Sequence, residues 1–425
     1  MKITKAYCAY EPEKFISSFG FKGKTLSGVW QTSVLLCSEK VYGLGLGVQS
    51  VLWSDGNVFA EYGEDESNML MYKVTCYALK LLEGKEFNKP QEMIKAVFND
   101  CLTYAKEITK MQVTETFVLN ALVPVDLAAW QLWAKLNNVD DFDEIYKGSA
   151  KSTHLANIPL ITYGTSVEKV LELAQNGVCL FKIKIGSDPE GDGDPNKMIE
   201  WDKKRMVEIH KVLSDVSTPY TESRKVLYYF DANGRYQTKA QLTELVNFMV
   251  KEGIAERTVL FEEPFAPENE IYVGDIPVVF AADESAHSLA DVERRIELGY
   301  KAITLKPIAK TLSVTMEMAD CADKHNVACF CADLTVNPVM VEWNKNVAAR
   351  LKPLKGMKIG VVESNGAQNY INWKQMKERL CVENNEDETV YNLENGFYSH
   401  AGGIFKTPEY YLDYLMKSNN IKELE

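Results

Sequence analysis

From about residue 155 onward, short apolar and β-branched runs alternate with stretches of helical periodicity. The pattern predicts strands at 158–163, 178–185, 226–230, 258–261, 278–281, 302–305, 327–331 and 358–362. Between them it predicts helices at 167–175, 196–213, 238–251, 289–298, 314–324 and 338–351. Strands that alternate with helices imply a parallel sheet with helical crossovers. A count of about eight implies that the sheet closes, giving an α/β fold with a (β/α)7-8 TIM-type barrel. The earlier part has another texture. A β-rich run at 32–37 stands among Gly-punctuated stretches, 20–28 and 43–47, that read as loops. Helical patterns follow at 69–82, 90–108 and, strongly apolar, 126–136. The expected organisation is an N-terminal α+β capping domain (1–125), a barrel (126–365) and a polar C-terminal segment (366–425) that packs back on the cap.

The chemistry sits where strands end. Successive strand side chains point to opposite faces. In 179–185, Phe181, Ile183 and Ile185 share one face, and Lys182 and Lys184 share the other. With the apolar face against the helices, both lysines point into the lumen, where an ammonium is costly unless paired or functional. By the same parity Cys329 and Cys331 are expected inside the barrel, below its rim, as small core fillers. Later strands end on acids: Asp231, Glu262, Asp283, Asp333 and Glu363, with Lys306 closing the sixth. All fall at the C-terminal rim, where barrels of this kind build their active sites. Asp231, Glu262 and Asp283 on neighbouring strands make an all-oxygen set that suits Mg²⁺, with Mn²⁺ as the alternative, better than Zn²⁺. Lys184 and Lys306 flank that set. Taken one at a time, each of these charges also reads as an ordinary rim salt bridge.

Composition narrows the partners. Lys and Arg number 47 against 60 Asp and Glu, a net charge of −13, which argues against nucleic acid or an anionic membrane as a partner. Nine cysteines, without disulfide or metal-knuckle spacing, read as reduced thiols in a cytoplasmic protein. The N-terminus lacks a signal-peptide apolar core, and the most apolar stretch, 118–133, contains Asp126. The loop 186–195 carries a calcium-like Gly/Asp run but has Ile199 where that pattern wants Glu, so it reads as a solvated surface loop. His287, just past the fifth strand, is a candidate substrate contact. Trp30 and Trp53 fall in segments that read as loops and are candidates to cover the barrel mouth.

The pieces Lys182-x-Lys184, Asp231-Ala232-Asn233, Glu262-Glu263-Pro264, Asp283-Glu284-Ser285 and Lys306 occur in this order. In them the sequence resembles the enolase superfamily, in its muconate-lactonizing and dipeptide-epimerase branch, over residues 1 to about 365. The 125–130 stretch is similar to that branch's Ala-Leu-Trp-Asp helix, imperfectly. The resemblance implies metal ligands at Asp231, Glu262 and Asp283, and acid/base lysines at Lys184 and Lys306 on opposite substrate faces. It also implies Lys182 as a holder of the substrate carboxylate, with Asn233 and Glu284 as supporting groups. Asp333 and Glu363 are expected at substrate or bridging to its neighbours. The implied enzyme is a Mg²⁺-dependent racemase or epimerase, an isomerase that removes the proton α to a carboxylate through a metal-stabilised enediolate. Its substrate would be a small-molecule carboxylate, an amino-acid derivative or dipeptide, and the protein a homo-oligomer. A neutral base is needed at neutral pH, so Lys184 or Lys306 is expected to have a depressed pKa. Two features depart from the pattern. The eighth strand ends in Glu363-Ser364-Asn365 with no Asp-x-Asp to grip an α-amino group. The seventh ends in Asp333, where the mandelate-racemase branch has His. A sugar-acid (aldonate) syn-dehydratase or a cycloisomerase, a lyase in the first case, shares the intermediate and stays open. A non-catalytic barrel binding a metal–carboxylate ligand is the reading from another class.

Overall fold

The structure is a computed structural model, and it describes residues 1–21, 24–380, 389–394 and 397–417. Strands β1 (Lys5–Phe21), β2 (Lys24–Ser38) and β3 (Val41–Gln49) form an antiparallel meander. Four helices follow: α1 (Val51–Ser54), α2 (Gly56–Leu82), α3 (Pro90–Thr109) and α4 (Glu115–Asn137). The Gly-rich stretches expected to be loops are strand instead. Gly43 and Gly45 lie on β3 because α4 presses its backbone onto that strand. A Cβ at Gly45 would fall far inside 3.0 Å of the Pro124 carbonyl oxygen and the Ala128 amide. Glycine here provides close approach, not a turn. Residues 20, 21 and 24–28 belong to the β1–β2 pair, and 22–23 lie outside the described residues.

Helix α4 is longer than its pattern suggests and runs unbroken through 125/126, with Pro124 inside it. By length and composition it is the one described helix able to cross a membrane, yet nearly all of it is buried by β2, β3, α2 and α3. A helix apolar all round is what a core position between layers requires.

The second body is the barrel. Its elements are β4 (His154–Ile158), β5 (Leu160–Ile161), α5 (Val167–Gln175), β6 (Leu180–Lys184), α6 (Pro195–Val212), β7 (Leu227–Asp231), α7 (Lys239–Lys251), β8 (Thr258–Glu262), β9 (Phe280–Ala282), α8 (Leu289–Glu297), β10 (Ala302–Leu305), α9 (Leu312–Lys324), β11 (Ala328–Cys331), α10 (Pro338–Ala348) and β12 (Gly360–Glu363). Only β8 to β9 lacks a crossover helix; 263–279 runs as irregular chain. The ladder passes from β12 through β11, β10, β9, β8, β7 and β6 to β5 in parallel register, while β12 pairs with β4. Because β4 and β5 are consecutive, separated by Pro159, the sheet returns on itself as a ring of eight staves. The first stave therefore spans 154–161, earlier than its apolar pattern suggests.

Helix starts are set locally. Thr238 and Gln241 form a capping box on α7, Ser288 and Asp291 one on α8, and Asn337 caps α10 ahead of Pro338. Two apolar clusters separate the barrel's faces. Leu180, Tyr229, Leu260, Ala302, Phe330 and Val361 fill the lumen, whereas Phe181, Ile183, Phe230, Phe261, Ile303 and Leu305 meet the helices. Cys329 and Cys331 belong to the outer cluster and Phe330 points inward, the reverse of the expected parity. The run 328–331 is buried on both faces and offers no alternation to read.

Among the described residues that follow, there are four short α-helices and a strand: α11 (Gly366–Asn369), α12 (Trp373–Leu380), β13 (Val390–Asn392), α13 (Phe397–His400) and α14 (Glu409–Lys417). Strand β13 pairs antiparallel with β4. Helix α14 meets the cap sheet, where Tyr410 donates to Glu11 at 2.7 Å and Tyr414 to the Tyr10 carbonyl at 3.0 Å.

Candidate active site

The strand ends place the charged groups around one mouth. Lys184 ends β6 on the second stave, Asp231 ends β7 on the third and Glu262 ends β8 on the fourth. Asp283 follows β9 on the fifth and Lys306 follows β10 on the sixth. Staves two and six of eight face each other, so the two lysines stand across the mouth with the acids on the arc between them. Lys182, Lys184, Asp231, Asn233, Asp283, Glu284, Lys306, Asp333 and Glu363 all line a single cavity. Glu262 lies beneath it, fully buried. The cap supplies the roof: Phe15 from β1, Leu26 and Val29 from β2, and Trp53 from α1. The Trp53 ring sits 4.4 Å from the Lys306 ammonium. Trp53 is thus in a helix rather than a loop and does cover the mouth. Trp30 lies within β2 and stacks on Tyr10 inside the cap.

Pairing inside the site is dense. Lys184 Nζ is 2.6 Å from Asp231 Oδ2 and also contacts Asn233 Oδ1. Lys182 Nζ stands 3.2 Å from Asp231, 3.3 Å from Glu262 and 3.4 Å from Glu363. Lys306 contacts Asp283 Oδ2. Asn233 also donates to Glu284 Oε1 at 3.2 Å. Glu263 turns away from the lumen at φ 40°, and its Oε2 accepts the Asp283 amide at 2.7 Å and the Ser285 hydroxyl at 3.1 Å. Asp333 accepts three backbone amides, from Leu334, Val336 and Asn365, and so ties the seventh strand's loop to the eighth. His287 bonds Thr116 of the cap at 2.7 Å and does not line the cavity.

Burial opposes the Lys182 charge, but Glu262, Glu363 and Asp231 outweigh it and hold the ammonium well above the usual lysine range. Lys306 is likewise raised, because contact with Asp283 overcomes its burial. A depressed base is expected from the sequence, and Lys306 departs from it because the full Asp283 charge stands beside it. Asp283 itself is held far below the carboxylate range by Lys306 and Lys310 against its burial. Glu262 goes the other way: burial, opposed by Lys182 and aided by Asp283, pushes its carboxyl up to about 8.

A divalent cation fits this chemistry. Oxygens of Glu262, Asp283 and Glu284 come within 4.8 Å of one another, all buried. Neither Glu262 oxygen receives a hydrogen bond, and the Lys182 ammonium at 3.3 Å is its ion pair, so this buried acid keeps oxygen lone pairs that a dication would use. Glu262 and Asp283 belong to the expected ligand set. Asp231 stands beside them but is engaged by Lys182 and Lys184, and Glu284 takes its place in the tight cluster. Sequence reading missed Lys310, whose ammonium reaches Asp283, and Thr335 and Asn365 in the cavity wall. Lys310 carries one signal only, its position four residues after Lys306.

No protein-family model matches the chain, and no curated protein matches it in sequence. Solved structures do match in fold. An N-succinyl Arg/Lys racemase from Bacillus cereus ATCC 14579 superposes with a TM-score of 0.69 at 15% identity, over 98% of each chain. A dipeptide epimerase from Enterococcus faecalis V583, complexed with Mg and the dipeptide L-Leu-L-Tyr, gives 0.66 at 14%, over 95% of this chain and 99% of that one. An enolase-superfamily member from Listeria innocua Clip11262 gives 0.65 at 18%, over 98% and 97%. The capped barrel is thus the fold of enolase-superfamily racemases and epimerases.

Proposed function

We propose that the chain is a racemase or epimerase that removes and returns the proton α to a carboxylate, acting on an amino-acid derivative or dipeptide. The observation that carries this reading is the placement of Lys184 and Lys306 on opposite staves of one acid-lined cavity. Glu262 and Asp283, flanked by Asp231 on the Lys182 side and Glu284 on the other, are the groups to hold Mg²⁺ or Mn²⁺. When bound, that ion supplies positive charge to the carboxylate oxygens as the α-carbon loses its proton. Lys182 adds a fixed ammonium on the same side. Lys184 takes the proton from one face, and the Lys306 ammonium delivers one to the other; the reverse direction exchanges the roles, for which a dication held by Asp283 would cancel the carboxylate charge that otherwise keeps Lys306 protonated. Each transfer by a positioned amine is worth about 10²–10⁴-fold in rate. The apolar roof from Phe15, Leu26, Val29 and Trp53 excludes water from the mouth and packs the substrate's non-reacting part. Asp333, held by three backbone amides, organises the cavity wall, and Glu363 steadies Lys182.

A screen in deuterated water with Mg²⁺, across dipeptides, N-acylamino acids and aldonic acids, tests the reading. Deuterium incorporation at the α-carbon with inversion and no loss of water is expected. A 2-keto product in its place moves the assignment to a dehydratase. Absence of exchange in every class refutes proton abstraction as the activity.

A further inference from the structure

We propose that Lys310 is a positioning residue that aims the Asp283–Glu284 acid pair, an inference that rests on the divalent-cation reading above. Lys310 is fully buried in the turn between β10 and α9, where the reaction described above makes no use of it. Its Nζ donates to the carbonyl oxygens of Asp283 and Ala286, both at 2.8 Å, and lies 3.4 Å from Asp283 Oδ1. An ammonium has three protons, and these three acceptors use them all. Every acceptor belongs to the four-residue loop 283–286. One buried cation therefore clips both ends of the loop that carries two of the three clustered acids.

Glu263 is the second clip, of opposite charge. It takes the amides of Asp283 and Ser285 at 2.7 and 3.3 Å while Lys310 takes the carbonyls. The backbone of Asp283 is thus held through both its peptide groups, and its carboxylate is left only side-chain rotation to choose. The turn that carries Lys310 is itself strained. Thr311, directly after Lys310, adopts φ 66°, a region costly for a threonine, while its hydroxyl caps α9 by accepting the Val314 amide.

Two roles for this ammonium predict opposite results. As a mere counter-charge to Asp283 it competes with a dication, so its removal tightens cation binding. As a positioner its removal loosens the loop and weakens binding. Two of its three bonds go to backbone carbonyls, and Lys306 already contacts the Asp283 carboxylate, so positioning is the stronger effect. Groups that orient metal ligands from outside the coordination sphere are worth about 10–100-fold in affinity.

The test is Mn²⁺ binding to the full chain, read from the electron paramagnetic resonance signal of free Mn²⁺. Lys310→Ala is expected to raise the Mn²⁺ dissociation constant at least about tenfold, within that range. Propylammonium, which replaces the missing atoms, is expected to restore affinity, an effect no general loss of stability produces. Lys310→Met keeps the volume and carries the same expectation should the alanine variant fold poorly, with thermal melting followed for both. Affinity unchanged or tightened in a folded variant overturns the positioning role and leaves the divalent-cation reading standing. A wild-type protein that takes up no Mn²⁺ overturns both.

Discussion

Lys306→Met separates the two halves of the proposed reaction. Methionine keeps most of the volume and removes the amine, so the sixth stave loses its proton donor while Lys184 on the second is untouched. The cost to stability is bounded by the neighbours. Stripping one partner from a buried ion pair costs about 3–5 kcal/mol when the remaining charge is uncompensated. Asp283 keeps Lys310 at 3.4 Å, so the loss lies below that range and the variant folds. The chemical cost is larger in effect: a lost acid/base group slows its own step by about 10²–10⁴, or ~3–5 kcal/mol of barrier. The assay is proton nuclear magnetic resonance of each enantiomer of an active substrate, incubated separately in deuterated water with Mg²⁺. Net racemisation is expected to fall in both directions, because each needs both amines. Exchange of the α-proton is expected to persist, within about tenfold, for the enantiomer whose proton faces Lys184, and to vanish for the other. Equal loss of exchange for both enantiomers, with Mn²⁺ binding and melting intact, refutes the two-faced assignment. So does equal retention.

Two predictions test the scaffold. Gly45→Ala drives a methyl into the backbone of α4, so destabilisation at or beyond the ~1–3 kcal/mol usual for overpacking is expected from urea unfolding. Gly56→Ala, which meets open space at the start of α2, is expected to be neutral or mildly stabilising, and equal effects at the two positions contradict the packing argument. Asp126 is buried in α4, accepts the Ser313 amide at 2.9 Å, and has its carboxyl pushed up to about 6 by burial. Its folded pKa lies above the unfolded value near 4, so the native state binds the extra proton and loses stability as pH rises from about 4 to 6. The stability difference between Asp126→Asn and wild type is expected to shift in the variant's favour by about 2–3 kcal/mol across that window and to stay flat above it. A difference that does not change between pH 4 and 6 contradicts the assignment.

What the sequence disclosed and what it hid follow one physical division. Lys182 and Lys184 declare their face because Phe181, Ile183 and Ile185 occupy the other, and period-two alternation survives wherever a strand has one apolar side and one charged end. The same rule fails at Cys329 and Cys331, where both faces are buried and every residue is apolar. It fails at Gly43 and Gly45 for a related reason. Their partner is the backbone of α4, far away in sequence, and glycine chosen for tight approach looks the same as glycine chosen for a turn. The acids show where this limit reaches the chemistry. Strand order brings Asp231, Glu262 and Asp283 to one rim, but which oxygens converge depends on how the chain turns after each strand. Glu263 at φ 40° and Lys310 in its buried turn hold the 283–286 loop so that Glu284 joins Glu262 and Asp283, while two lysines occupy Asp231. A run of letters fixes the stave on which a carboxylate stands. Its direction is fixed by hydrogen bonds to backbone groups on the neighbouring staves, and those bonds exist only once the ring has closed.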